Sequence, residues 1–244
     1  MTNRVDYDTA LELASHEAVV RQTYKDGGGV LTWSVGLTSA TGHKVDRYIG
    51  RPQPMQHCMN VYAWALENYA DHVRDVFGDL PKHVFAGALS FTWNLGGGAL
   101  RSATWVKLYK AGRMAEAEAS FKTWDKDNGK VVAGLTKRRA AEADLIFRGR
   151  WSNTGTMTEY TRLTAAMTPV WSSAKRVDVS KELRAAFAVP ANVVVDQPKQ
   201  PDAVPVAPTV TPTTPNSPVA AIVAVLIAII GAGYGLLKSQ GILP

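Results

Sequence analysis

Cysteine is almost missing. Cys58 is the only one in 244 residues, so no internal disulfide can form, and the fold must hold by packing in a reducing or an oxidising compartment. A buried, small apolar position is its expected place. The chain also opens without an apolar run: Met1 to Asp8 carries charge where a secretion signal needs continuous hydrophobicity, which predicts no cleaved signal. No Gly-x-Gly-x-x-Gly or other phosphate loop occurs. His43, His57, His72 and His83 share no metal-ligand spacing with one another or with Cys58. No metal and no cofactor is therefore expected.

What is present is a basic chain. Its net charge is +6 and its pI about 9.4. The last 56 residues hold Lys199 and Lys238 against Asp196 and Asp202, so the whole excess sits on residues 1–188. Such a body suits anionic partners, lipid headgroups, nucleic acid or an acidic polymer, without choosing among them.

From Tyr7 to Tyr24 the residues Ala10, Leu11, Leu13, Ala14, Ala18 and Val19 recur at helical spacing, and Gly27-Gly28-Gly29 ends the pattern. The expectation is one helix with Glu17 near its end. Val30 to Gly36 is β-branched and aromatic and predicts a short strand or hairpin, with a turn or second strand over Gly36 to Gly42. Beyond Pro54 the reading is helical: Met55–Phe77, Pro81–Leu95, Leu100–Tyr109, Arg113–Trp124 and Leu135–Phe147. The second of these is apolar on nearly every side, as a helix through the middle of a core must be. Residues 151–188 read as a helical extension or a stalk, with a last helix over Ser180 to Phe187.

Eight prolines then fall between Val189 and Pro218. At that density the chain favours extended polyproline conformations, about 3.1 Å per residue and on the order of 90 Å if stretched. Residues 189–218 are expected to be a linker. Val219 to Leu237 contains no charged residue, and as a helix it would span about 28 Å, close to the hydrocarbon core of a bilayer. Residues 219–237 are read as a transmembrane helix and 238–244 as a short tail. Lys238 alone favours a cytoplasmic C-terminus, so both topologies stay open.

The chemistry gathers near the N-terminus. Glu17, Asp26 and Thr32 stand as Glu-x8-Asp-x5-Thr, a spacing that fits two carboxyls and a hydroxyl around one glycosidic bond. Cleaving such a bond needs a proton for the leaving oxygen and stabilisation of an oxocarbenium-like centre, the work of two carboxyls in different environments. Glu17, on a helix with an apolar face, is the better general acid. Asp26, beside three glycines, can approach the sugar and activate water, with Thr32 holding that water. Singly, each has a plainer reading as a solvated helix carboxylate, a turn former and a strand residue.

His16-Glu17, Tyr24-Lys25-Asp26-Gly27 and Thr32, followed by Ala88 to Thr104 and Gly134 to Glu142, resemble the bacteriophage lysozymes, the muramidase-type endolysins, over about residues 7–150. Three motifs in the same order are specific. The resemblance implies an α+β, mostly helical, two-lobed lysozyme-like domain with a small β-hairpin or sheet over residues 1–150, carrying catalytic Glu17, Asp26 and Thr32. It implies bacterial peptidoglycan as substrate, cut at the β-1,4 bond from N-acetylmuramic acid to N-acetylglucosamine. The partners expected besides are the lipid bilayer of the host inner membrane and a holin, without nucleic acid. Ser34, Leu37 and Ala18 depart from the family's usual glycine, histidine and glycine.

Asn94 is expected to cap a helix, with sugar binding as the alternative. Glu142 is expected to pair with Arg138 one turn away, the alternative being that one of Arg138 and Arg139 points to Glu17. Two further functions stay open: a lytic transglycosylase using a single acid, and a non-catalytic glycan-binding or membrane-disrupting lysis protein.

Overall fold

A computed structural model describes residues 3–188; the expected linker, transmembrane helix and tail lie outside them. Helix α1, Tyr7–Ala14, starts where the Asp6 side chain accepts from the Thr9 N–H at 2.9 Å, a capping arrangement. It stops at Ala14 and not at Tyr24. Residues Ala18–Lys25 instead form strand β1, because Val20 and Tyr24 pair with β2 on one edge and Ala18 and Val19 with β6 on the other, and paired β-branched and aromatic residues favour the pleat over the helix. The Glu17 N–H still closes the last turn onto the Ala14 carbonyl at 3.1 Å, so Glu17 sits where helix becomes strand.

Strand β2, Leu31–Ser34, pairs antiparallel with β1 in the register Tyr24 to Thr32 and Lys25 to Leu31, with an irregularity between Val20 and Tyr24. Strand β3, Leu37–Thr38, pairs with β2. Helix α2, Met55–Phe77, has the bounds expected, between Pro54 and Gly78. Helix α3, Lys82–Ser102, carries a kink at Gly96, whose φ of 84° and ψ of 160° belong to glycine alone. Leu100 stays with α3; the next helix, α4, is Thr104–Lys110, behind an extended Ala103. Helices α5, Met114–Lys122, and α6, Ala133–Arg148, follow, separated by a hairpin of β4, Lys126–Asp127, and β5, Lys130–Val131. Asn128 and Gly129 both adopt positive φ at its turn, as a two-residue hairpin requires.

Residues 151–188, expected as a helical extension or stalk, complete the sheet. Strand β6, Thr156–Tyr160, lies parallel to β1 with Ala18 opposite Thr158, and β7, Ala174–Asp178, lies antiparallel to β6. The sheet order is β3-β2-β1-β6-β7, which puts β1 at the centre. Helix α7, Ser180–Ala188, closes on α2, where the Gln56 amide donates to the Glu182 carbonyl at 2.9 Å. Met157, Val179 and Leu183 belong to the main core with Leu13, Tyr62 and Phe91. The signal was faint because β6 meets its partner about 140 positions away.

Buried Glu12 fastens this extension to α1. Its Oε2 accepts from the Ser152 and Asn153 N–H groups at 2.8 and 2.9 Å, and its Oε1 from the Ser152 hydroxyl at 2.7 Å. The central helix α3 is buried from Val84 to Asn94, as its apolar circumference predicts. Around it Phe91, Trp105 and Phe121 meet with ring centroids 5.1–5.4 Å apart.

Candidate active site

The junction of α1 and β1 sets the Glu17 side chain, 9 % exposed, against Arg138 of α6, with Oε1 2.7 Å from Nη1. Of the two readings for the arginines, both hold for Arg138: its Nε also donates to Glu142 Oε1 at 2.8 Å. Arg139 Nη2 lies 2.9 Å from Glu142 Oε2 and donates to Asn94 Oδ1 at 2.7 Å, while its guanidinium covers the Phe91 ring at 5.3 Å. Asn94 is fully buried. It is neither a helix cap nor at the surface, but a prop for Arg139. Ser90, in the apolar stretch of α3, donates to Glu142.

Two guanidinium and two carboxyl groups thus share one dry site. Burial pushes the Glu17 carboxyl up and the Arg138 charge pulls it back, leaving it above the ordinary glutamate value. Burial alone would raise Glu142 as well, but the Arg139 and Arg138 charges outweigh it and hold Glu142 below its usual range. One carboxylate is kept ionised while its neighbour is biased towards holding a proton, a division that sorts acid and base roles. His16 belongs to the same cluster. Burial, helped by the Arg138 charge, pulls its imidazole down to about 4, so it stays neutral at physiological pH.

Asp26, 5 % exposed, follows the end of β1. Its Oδ1 accepts from the Gly28 and Val30 N–H groups, both at 2.9 Å; the glycine run therefore forms a turn folded back on this carboxylate. Thr32 on β2 is buried, and its one hydroxyl proton has two acceptors within reach, Asp26 Oδ2 at 3.4 Å and the Val30 carbonyl at 3.1 Å. Burial raises Asp26 above the usual aspartate value, against the opposing pull of the Val30 and Gly28 N–H groups. Asp26 and Thr32 are brought together. Buried Tyr24 feels the charges of both carboxyls: its phenol is pushed well up, first by burial and then by the charges of Asp26 and of Glu17. A cavity of about 350 Å³ lined by His83, Tyr109, Glu118 and Phe147 contains none of these groups, so cavity volume does not locate the acid pair.

Tyr24, Ser90, Glu12 and His16 carry parts of this arrangement that sequence reasoning gave no role. Tyr24 and His16 stood inside the recognised motifs; Glu12, five residues before Glu17 in an apolar helix, had no signal of its own.

The phage lysozyme family matches residues 14–142, a span that contains the acid pair, Thr32, Asn94 and both arginines. The chain belongs to the phage lysozyme family. Among curated relatives it is 39 % identical over 75 residues to an endolysin of Bacillus phage B103, covering 31 % of this chain and 28 % of that protein. It is 27 % identical over 135 residues to a SAR-endolysin of Bacteriophage PS119, covering 55 % and 78 %. The chain thus spans under a third of the length of the Bacillus phage relative. In fold it is similar to an endolysin from Escherichia coli O157:H7 phage FAHEc1, with a TM-score of 0.53 and 21 % identity over 62 % of this chain and 99 % of that one.

Within a phage lysozyme framework the departures can be placed. Ser34, where the family often has glycine, holds a φ of 56°, a region that favours glycine, and its hydroxyl donates to the Cys58 carbonyl at 3.3 Å. The backbone turn is kept without the glycine. Leu37 is fully buried in β3, and Ala18 starts β1 opposite Thr158 of β6.

Proposed function

We propose that this chain is an endolysin hydrolysing the β-1,4 bond between N-acetylmuramic acid and N-acetylglucosamine in bacterial peptidoglycan. The observation that carries the reading is the buried Glu17 carboxyl, held by Arg138 and biased towards its protonated form, together with the Asp26–Thr32 pair.

Glu17 donates its proton to the glycosidic oxygen as the bond breaks. Arg138 fixes the direction of the carboxyl and stabilises the carboxylate left behind. Asp26, aimed by two backbone N–H groups, takes a proton from the attacking water, and Thr32 helps to orient that water. Attack from the opposite face inverts the anomeric carbon. This use of Asp26 favours hydrolysis over a transglycosylase reaction, which needs no water-activating carboxylate; muropeptides ending in an anhydro sugar would reverse that preference.

The test is Glu17→Gln in the full chain. Turnover of purified peptidoglycan should fall by about 10² or more while the protein stays folded, and clearing of a peptidoglycan zymogram at the wild-type rate would overturn the assignment.

The uncharged stretch Val219 to Leu237 supports anchoring in the host inner membrane, with the body delivered to peptidoglycan by that anchor; a holin is the expected partner for release. Among the described residues no helix is long and apolar enough to cross a membrane, so anchoring rests on residues 219–237. Removing residues 189–244 should move the protein from the membrane to the soluble fraction. Unchanged fractionation would remove the anchor from the proposal.

A further inference from the structure

Strands β6 and β7 lie beyond the stretch that matches the phage lysozyme family, yet the arm joining them reaches the residue just before Asp26. Residues 161–173 form a folded hairpin: the Val170 N–H donates to the Arg162 carbonyl at 2.9 Å, Leu163 bridges to Pro169, and the Thr164 N–H donates to Thr168 at 2.8 Å. At its tip Met167, with a φ of 66°, presents its carbonyl to the Lys25 N–H at 2.8 Å. Lys25 directly precedes Asp26.

An aromatic row leads outward from there. Ala18, Val20, Tyr24 and Tyr160 form a buried cluster separate from the main core, with Leu163 of the arm packed on it. Tyr24 is the residue that feels both acids. The Tyr160 ring meets Trp171 edge-on, with centroids 5.6 Å apart at 90°, and Trp171 is 42 % exposed. Arg162 donates to the Ser172 hydroxyl at 3.2 Å, which ties its guanidinium to the residue that follows Trp171.

We propose that Trp171, Tyr160 and Arg162 form an additional glycan subsite on the Asp26 side of the acid pair that takes the peptidoglycan strand beyond the cleaved bond. The proposal rests on the hydrolase reading for the identity of its ligand. The C–H face of a pyranose packs on an aromatic ring, and an amphipathic indole suits a surface that is apolar at one end and wet at the other. The carboxylates of muramyl groups and stem peptides match a guanidinium beside it. Continuity with the acid pair through Tyr24 and Tyr160 selects the same strand as occupant.

The test compares retention on purified peptidoglycan sacculi of the full chain carrying Glu17→Gln, with and without Trp171→Ala. Retention should weaken about tenfold, as for loss of an anchoring aromatic, and Trp171→Phe should restore most of it. In the otherwise wild-type chain, Trp171→Ala should raise KM on long strands and leave kcat and the turnover of short oligosaccharides unchanged. Equal retention with and without Trp171 would overturn the subsite even in an active hydrolase. A chain that releases no reducing ends but still loses retention would defeat the hydrolase reading and keep the subsite. If Trp171→Ala melts early, Arg162→Gln gives the same two outcomes.

Discussion

His16 shows how a single side chain reports on the site without touching substrate. Its folded value of about 4 lies below the ordinary 6.5. The unfolded chain therefore binds a proton in the window between these values that the folded chain does not, and stability present above about 6.5 is lost as pH falls towards 4. The slope is on the order of 1 kcal/mol per pH unit. Urea unfolding at pH 7 and at pH 4.5 should show a smaller difference for His16→Gln than for the wild type; equal differences would mean that the imidazole is already charged in the fold. Glu142, held below its usual value, loses its contribution only at lower pH, so the two groups separate. At this scale the meeting of Asp26 with Thr32 was legible because their spacing is short and β1 and β2 pair across one turn. The prop role of Asn94 was not, since it depends on Arg139 arriving from 45 positions away.

Among elements, the α3–α6 contact decides where Arg138 and Glu142 stand. Gly87 permits it: a Cβ there would come within 2.3 Å of Ile146 Cγ1 and 3.5 Å of the Glu142 carbonyl oxygen. Alanine would gain up to about 1 kcal/mol of helix propensity, but overpacking a filled core costs about 1–3 kcal/mol. Gly87→Ala should therefore lower the melting temperature and, by displacing α6, reduce turnover. A variant that melts no earlier than wild type would show that Ile146 simply turns aside. Helix α2 was readable from sequence because a long amphipathic pattern lies between a proline and a glycine. Strand β1 was not: Ala18 and Val19 fit the helical spacing of α1, and only pairing with β2 across the glycine turn and with β6, far along the chain, makes extension the better choice.

Considered as a whole molecule, residues 156–188 are no appendage. Ending the chain at residue 150 would remove Met157, Val179 and Leu183 from the core, at about 1.5–3 kcal/mol each, and would strip Glu12 of the N–H groups that satisfy its buried carboxylate. Those losses approach the about 5–15 kcal/mol that holds a typical domain together. A chain of residues 1–150 should show no cooperative thermal transition by circular dichroism; a sharp melt near that of the full chain would show that the family-matched portion folds alone.

The sheet order also bears on self-association. The strand that presents Asp26 is hemmed in by neighbours, so among the described residues the edge strands are β3, only two residues long, and β7, which carries exposed Lys175 and Arg176. Short and charged margins discourage edge-to-edge pairing with another copy. The central strand is thereby kept away from aggregation without a dedicated cover.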